Sequence, residues 1–288
     1  MKNRESRNLG RLIAAMCIFG TIGIFREYIP LPSSLIALVR GAVGSGYLLI
    51  SAAVQKQKPD LPAIKKNLPL LVLSGAAIGF NWIFLFEAYC YTTVATATLC
   101  YYLAPVMVIA LSPLFLKEKL TLRRGLCTLI ALAGMIPVSG ILDNGLAGSA
   151  DWKGILYGLA AAVLYAGVML MNKKMSPIPA NDRTVVQLIS ASVVLAPYVL
   201  ATEDVGALAF TPVSVALLLV VGILHTGIAY RMYFAAMSNL KAQTTALFSY
   251  LDPILAILLS AVILGQPAGW PTVLGAAMIL GSAIISEQ

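Results

Sequence analysis

Five ionisable residues interrupt otherwise apolar stretches of the sequence: Arg40, Glu87, His225, Arg231 and Asp252. A charge in hydrocarbon costs about 3 kcal/mol or more, so each is expected to face the inside of a helical bundle, with a partner or a task. Arg40 and Glu87 fall at similar depth in neighbouring runs, as do Arg231 and Asp252, and both couples are read as buried charge pairs that orient helices. Glu87 carries a second reading as a substrate-binding or coupling acid, because Phe80, Phe84 and Tyr91 are its aromatic neighbours on a helix. His225 is the single histidine, at the middle of its run. A side chain titrating near neutrality suits proton coupling or solute contact there, and a hydrogen-bonding core role is the plainer alternative.

Aromatic residues with a polar tip are the second group. Tyr101, Tyr102, Tyr165, Tyr230, Tyr233 and Tyr250, with Trp82, lie at depths where they could wall a cavity and stack on a planar or cationic solute. Packing or an interfacial belt is the competing reading, and it is preferred for Tyr28 and Tyr91 near the ends of their runs. Tyr101 and Tyr102 precede Pro105, and Tyr250 precedes Pro253. A proline at mid-span frees a backbone carbonyl, so both are expected to be bending points. Asn81 and Gln187 add amides that could serve a cavity or join helices.

Reaction chemistry finds no support. A zinc site would need a second histidine, so no metal is expected, and neither an aspartate pair nor a phosphate loop nor a cofactor fingerprint is present. Gly44-Ser45-Gly46 lies within an apolar run rather than in a nucleophile-bearing loop. Cys17, Cys90, Cys100 and Cys127 all sit in apolar stretches, where thiols act as small hydrophobes. The expectation is a protein that is not an enzyme and takes no cofactor.

The elements that must position these residues follow from composition. The 288 residues are 59% hydrophobic and only 11% charged, with mean hydropathy +0.88, against about 25% charged in soluble domains. At about 20 residues per crossing, the chain has room for ten helices and little else. A soluble catalytic module and a nucleic-acid partner are thereby excluded, and the net charge of +8 must be explained by topology. Apolar runs fall near 9–28, 34–54, 68–91, 94–116, 122–141, 152–172, 184–201, 212–238, 241–264 and 269–286, with turns at Tyr91-Thr92-Thr93 and Ser238-Asn239-Leu240-Lys241. The first run follows Lys2, Arg4, Arg7 and Arg11 without a small-residue cleavage site, so it is read as a retained helix.

Lysine and arginine concentrate on the cytoplasmic side of membrane proteins. With ten crossings and an internal N-terminus, 16 of the 20 fall on that side, among them Lys56, Lys58, Lys117, Lys119, Lys173, Lys174 and Lys241, whereas Arg26 and Lys153 fall outside. Both termini are accordingly expected in the cytoplasm, with the chain integral to the plasma membrane.

An internal repeat narrows the architecture. A shift of 148 residues places Thr96, Leu99, Tyr102, Leu103, Pro105, Leu111, Ser112 and Leu116 on Thr244, Leu247, Tyr250, Leu251, Pro253, Leu259, Ser260 and Leu264 without a gap. A unit of five helices is odd in number, so its second copy would enter the membrane from the opposite side. The expected fold is all-α and polytopic, with ten transmembrane helices as two inverted repeats over 1–145 and 146–288.

The run Asn81-x-x-x-x-Phe86-x-Ala88-x-x-Tyr91-Thr92-x-Val94, leading to Thr98-Leu99-x-Tyr101-Tyr102-Leu103-x-Pro105-Val106, resembles the third and fourth helices of the drug/metabolite transporter superfamily, EamA type. Tyr250-Leu251-Asp252-Pro253 and the helix with Gly275 and Gly281 resemble the end of its second repeat, so the likeness spans nearly the whole chain. The resemblance implies a ten-helix carrier with a central cavity lined by helices 1, 3, 4, 6, 8 and 9, usually an exporter of small metabolites such as amino acids or organic cations. Small multidrug exporters of the superfamily carry a buried glutamate on their first helix. Helices 1 and 6 here carry no acid at mid-span, so proton–drug competition has no residue at that place.

The functional expectation is thus alternating access at the repeat interface, with a small-molecule solute, the lipid bilayer and protons as partners. A passive channel or a membrane sensor is the alternative, disfavoured by the lack of a charged ring or filter-like loop.

Overall fold

The computed structural model describes residues 2–91, 97, 100–138, 152–204, 206, 208–263 and 270–287. The described residues fold as ten helices without strands: α1 (Lys2–Gly20, resumed as Ile22–Glu27 after a turn at Thr21), α2 (Ser33–Val54), α3 (Leu61–Tyr91), α4 (Ala104–Leu116), α5 (Leu122–Val138), α6 (Trp152–Lys174), α7 (Ala180–Thr202), α8 (Pro212–Met237), α9 (Ala242–Phe248 and Leu251–Ile263) and α10 (Trp270–Glu287). Five of them, α2, α3, α6, α7 and α8, have apolar stretches of 22 to 26 residues, long enough to cross a membrane. The turn expected at Thr92-Thr93 and the boundary between 145 and 146 lie outside the described residues.

Helix α3 starts seven residues earlier than hydropathy suggests. Asp60 Oδ1 accepts from Ala63 N at 3.0 Å, and Pro62 stands in the first turn, so Asp60 caps a helix that carries Lys65 and Lys66 beyond the apolar region. A hydropathy count sees only the part that fits hydrocarbon. Helix α8 begins on a reciprocal cap: Thr211 Oγ1 accepts from Ser214 N at 3.1 Å, and Ser214 Oγ accepts from Thr211 N at 3.0 Å.

The helices close on one another as a ring. α2 packs on α7 and α8, α8 on α1, α1 on α9, α9 on α4, α4 on α6, α6 on α3, and α3 on α7. α5 and α10 pair with each other beside the α4–α9 contact. Raising each helix number by five, counted cyclically, returns the same set of pairings.

The two ends of the bundle are joined differently. At the end that carries the start of α1, hydrogen bonds dominate: Arg124 Nη1 donates to Gln243 Oε1 at 2.7 Å, Gln243 Nε2 to Ser112 Oγ at 2.8 Å, and Ala242 N to Glu118 Oε1 at 3.0 Å. Asn67 and Ser176 exchange two further bonds there, between α3 and the end of α6. At the opposite end an apolar cluster joins the α1–α2 turn to α2, α7 and α8 through Ile29, Leu31, Leu35, Ile36, Val199, Leu218 and Val221. Two hydrogen bonds border it, Ser34 Oγ to Glu203 Oε1 at 2.5 Å and Tyr198 Oη to Glu87 Oε1 at 2.9 Å.

Candidate functional site

The centre of the bundle is a nest of aromatic rings drawn from α1, α3, the segment just before α4, α6, α8 and the break in α9. Trp82 Nε1 donates to Tyr230 Oη at 3.3 Å, with the rings edge to face at 6.1 Å, and Phe19 closes on Tyr230 at 5.1 Å. Tyr101 stacks on Tyr165 at 5.6 Å, and Tyr165 and Tyr233 share a hydrogen bond of 2.9 Å between their hydroxyls. Tyr102 and Tyr250 lie 6.1 Å apart, and Tyr250 Oη donates to the Tyr102 carbonyl at 3.1 Å. A cavity of about 10 Å³ remains among Ile78, Asn81, Tyr165, Val168, Tyr230 and Phe234. That is room for about one water molecule.

Arg40 enters this nest from α2, a helix the resemblance did not place at the cavity. Its Nε donates to Thr226 Oγ1 at 2.9 Å, and its guanidinium carbon stands 4.8 Å from the centre of the Trp82 ring, a cation–π contact. Asp252 accepts a hydrogen bond from the Tyr102 side chain and interacts electrostatically with Arg40.

Local geometry explains how Arg40 gets there. A Cβ on Gly44 would stand 2.9 Å from the Gly222 carbonyl oxygen and 3.0 Å from Thr226 Cγ2, so only glycine lets α2 ride this close to α8. Facing it, Val221–Ile228 is wound as a π-helix, a form often found at functional sites. Thr226 Oγ1 reaches back to the Val221 carbonyl at 3.0 Å, which fixes the hydroxyl that receives Arg40. His225, in the same segment, holds its Nε2 2.7 Å from Thr21 Oγ1 and its ring edge-on to Phe25 at 4.8 Å. Its Nδ1 is buried and lies toward the Val220 carbonyl without a well-formed hydrogen bond.

Both expected charge pairs are corrected. Arg40 and Glu87 form no ion pair: Glu87 is near the far end of α3, where it accepts from Tyr198, while Arg40 turns to Thr226 and Trp82. Arg231 and Asp252 form none either, because Arg231 points away from the nest into a cleft between α1, α2 and α8. Equal depth along the membrane normal carries no information about which way a side chain faces around its helix.

The prolines also differ from expectation. Pro105 and Pro253 do not interrupt continuous helices; each stands in the first turn of a new segment, Ala104–Leu116 and Leu251–Ile263, just after a turn at Tyr102-Leu103 or Ser249-Tyr250. A proline there sacrifices a donor that a helix start leaves unpaired in any case. Asn81 spends its amide on the Ala161 carbonyl at 2.7 Å, joining α3 to α6 while bordering the small cavity. Gln187 donates to Ser74 Oγ at 2.5 Å and to Asn172 Oδ1 at 3.3 Å, which makes it a tie among α7, α3 and α6.

Thr226, Thr21 and Tyr198 are the partners that sequence reasoning missed. A readable sign existed for the first: Gly44 on one run and Gly222 and Gly227 on another are small residues that allow a close helix crossing, and they do face one another.

Comparison with known proteins adds the family. The profile of the EamA-like transporter family matches residues 9–140 and again 152–287. The chain is 28% identical over 284 residues to the uncharacterized transporter YxxF of Bacillus subtilis (strain 168), covering 98% of this chain and 90% of that one. It is 25% identical over 282 residues to Protein PecM of Dickeya dadantii (strain 3937), covering 95% and 90%. One solved crystal structure superposes with a TM-score of 0.86 over 97% of each chain at 18% identity, a likeness of fold.

Proposed function

We propose that this chain, which belongs to the EamA-like transporter family and is an integral membrane protein, works as a secondary exporter of a small metabolite by alternating access. Its two halves, 1–145 and 146–288, act as inverted five-helix repeats with both termini in the cytoplasm, and the solute sits between them at the aromatic nest. The observation that carries this reading is the way residues related by the repeat meet their own counterparts. Trp82 bonds to Tyr230 and Tyr250 bonds to Tyr102, each across 148 positions. In an inverted repeat such self-contacts fall along the pseudo-two-fold axis, where transporters of this architecture place their substrate.

Further support comes from the interrupted course of α9 at Ser249-Tyr250 and the turn at Tyr102-Leu103 before α4, since broken helices border the sites of such carriers. Asp252, facing Arg40 and Tyr102 in the nest, is better placed for proton coupling than Glu87 near the end of α3.

Double electron–electron resonance tests the mechanism without knowledge of the solute. One spin-label pair on Lys119 and Lys241 and another on Ser34 and Glu203 span the halves at opposite ends of the bundle. Two populations at each end, changing in opposite senses, are expected. A single fixed distance at both ends in lipid discs would overturn alternating access.

A further inference from the structure

A second cavity lies outside the aromatic nest. It is an open cleft of about 430 Å³ at the end of the bundle that carries the start of α1, with α8 as its floor and α1, α2 and the start of α7 as its flanks. That volume is within the range of pockets that hold small ligands. Ile228, Arg231, Met232 and Ala235 form the floor, at helical spacing i, i+3, i+4 and i+7. Thr226, Tyr230 and Tyr233, which face the nest, lie on the opposite side of the same helix. The cleft is therefore not the inner mouth of the central site.

Its chemistry is that of an anion site with a greasy margin. Arg11 and Arg231 both line it, with the amides of Gln57 and Asn181, and among the described residues no acid lines it. Neither arginine forms an ion pair among the described residues; Arg11 Nη1 makes one long bond to Asn8 Oδ1, at 3.4 Å. Asp182, the acid next to Asn181, is turned to the Asp60 amide at 2.9 Å. On α2, Ile50 and Val54, three and seven residues on from the cleft-lining Tyr47, are exposed, Val54 to 78%. Those side chains belong to the face that meets acyl chains.

We infer that this cleft is a binding site for the headgroup of an anionic phospholipid. Arg11 and Arg231 take the phosphate, Gln57 and Asn181 hydrogen-bond its polar substituent, and the acyl chains run along the exposed apolar face of α2 at Ile50 and Val54. A basic pocket between helices on the cytoplasmic side is the setting in which such headgroups bind. A water-soluble anion would bind the same arginines without drawing on the apolar flanks, and this separates the two sources.

Native mass spectrometry of the full chain in a neutral detergent, titrated with phosphatidylglycerol or phosphatidylcholine, tests the site. Phosphatidylglycerol is expected to give a retained one-lipid adduct that phosphatidylcholine does not. Arg11→Gln and Arg231→Gln are each expected to weaken it about fivefold. Arg11 is exposed, so Arg11→Glu keeps the fold and is expected to weaken the adduct further even where the Arg231 variant is unstable. Equal binding of the two lipids, or full affinity in Arg11→Glu, would overturn the proposal. So would competition by millimolar glycerol phosphate as strong as that by phosphatidylglycerol itself, which would make the cleft a site for soluble anions.

Discussion

Tyr250 gives its hydroxyl hydrogen to the backbone carbonyl of Tyr102, the residue that stands in its own place in the other half of the chain. Both side chains are buried, and Tyr250 is among the largest residues sealed from solvent. The bond joins the turn before α4 to the break within α9, so two weak points of the helical framework brace each other.

Tyr250→Phe keeps the ring and deletes the donor. A buried carbonyl then loses its partner, at a cost of about 1–3 kcal/mol. The thermal midpoint of the purified protein should fall by several degrees, and an unchanged midpoint would show that the bond contributes nothing.

Arg40 and Asp252 should behave as a coupled pair. Asp252→Asn and Arg40→Met each remove one of two buried charges that act on each other across the nest without an ion-pair contact, so a coupling at the low end of about 0.5–3 kcal/mol is expected between them. The double variant should lose less than the sum of the two by that amount. Strictly additive losses in a double-mutant cycle read by thermal unfolding would mean that the two charges do not depend on each other.

Glu87 should be far more tolerant. The Tyr198 hydroxyl that bonds to Glu87 Oε1 can donate equally to the amide oxygen of Glu87→Gln, so stability should change by less than about 1 kcal/mol. Combined with Arg40→Met, the effect should be additive. A rescue of the Arg40 variant by Glu87→Gln would restore the ion pair that the geometry denies.

Gly75 offers a test of close packing away from the nest. A Cβ there would stand 2.5 Å from the Gln187 carbonyl oxygen and 2.6 Å from Ser190 Cβ. Gly75→Ala must push α3 off α7, and overpacking of this kind costs about 1–3 kcal/mol. Gly46→Ala, at a position with open space, is the matched control and should be neutral or slightly stabilising in the same unfolding assay.

Ten helices could be read from the sequence because hydrocarbon imposes a minimum length and basic residues cluster in alternate connections. The two were independent counts of the same thing. The shared Tyr-Leu-x-Pro at 102 and 250 was legible for a similar reason, being a pattern repeated at one spacing. Side-chain direction was not legible. Position along a run says nothing of the angle at which Arg40, Glu87, Arg231 and Asp252 leave their helices, which depends on neighbours that no local pattern names. The π-helical turn at 221–228 adds to that difficulty, since it shifts every later residue of α8 around the axis relative to a regular helix. Thr21, a small polar residue in an apolar run, gave no sign of the partner it serves, and for Thr226 only the glycines of the helix crossing did.

The unlike seams at the two ends have a calorimetric consequence. On the alternating-access reading, opening the end held by Arg124, Gln243 and Glu118 trades protein hydrogen bonds for bonds to water. Parting Ile29, Leu35, Val199 and Leu218 at the other end wets hydrocarbon, and the penalty for wetting hydrocarbon shrinks on cooling. Temperature then acts on this protein as a one-sided effector. Chilling should swell the population open at the apolar end, and warming should drain it, with a heat-capacity difference between the two states that resonance distances taken between 5 and 37 °C, roughly the liquid-bilayer range, would measure as curvature.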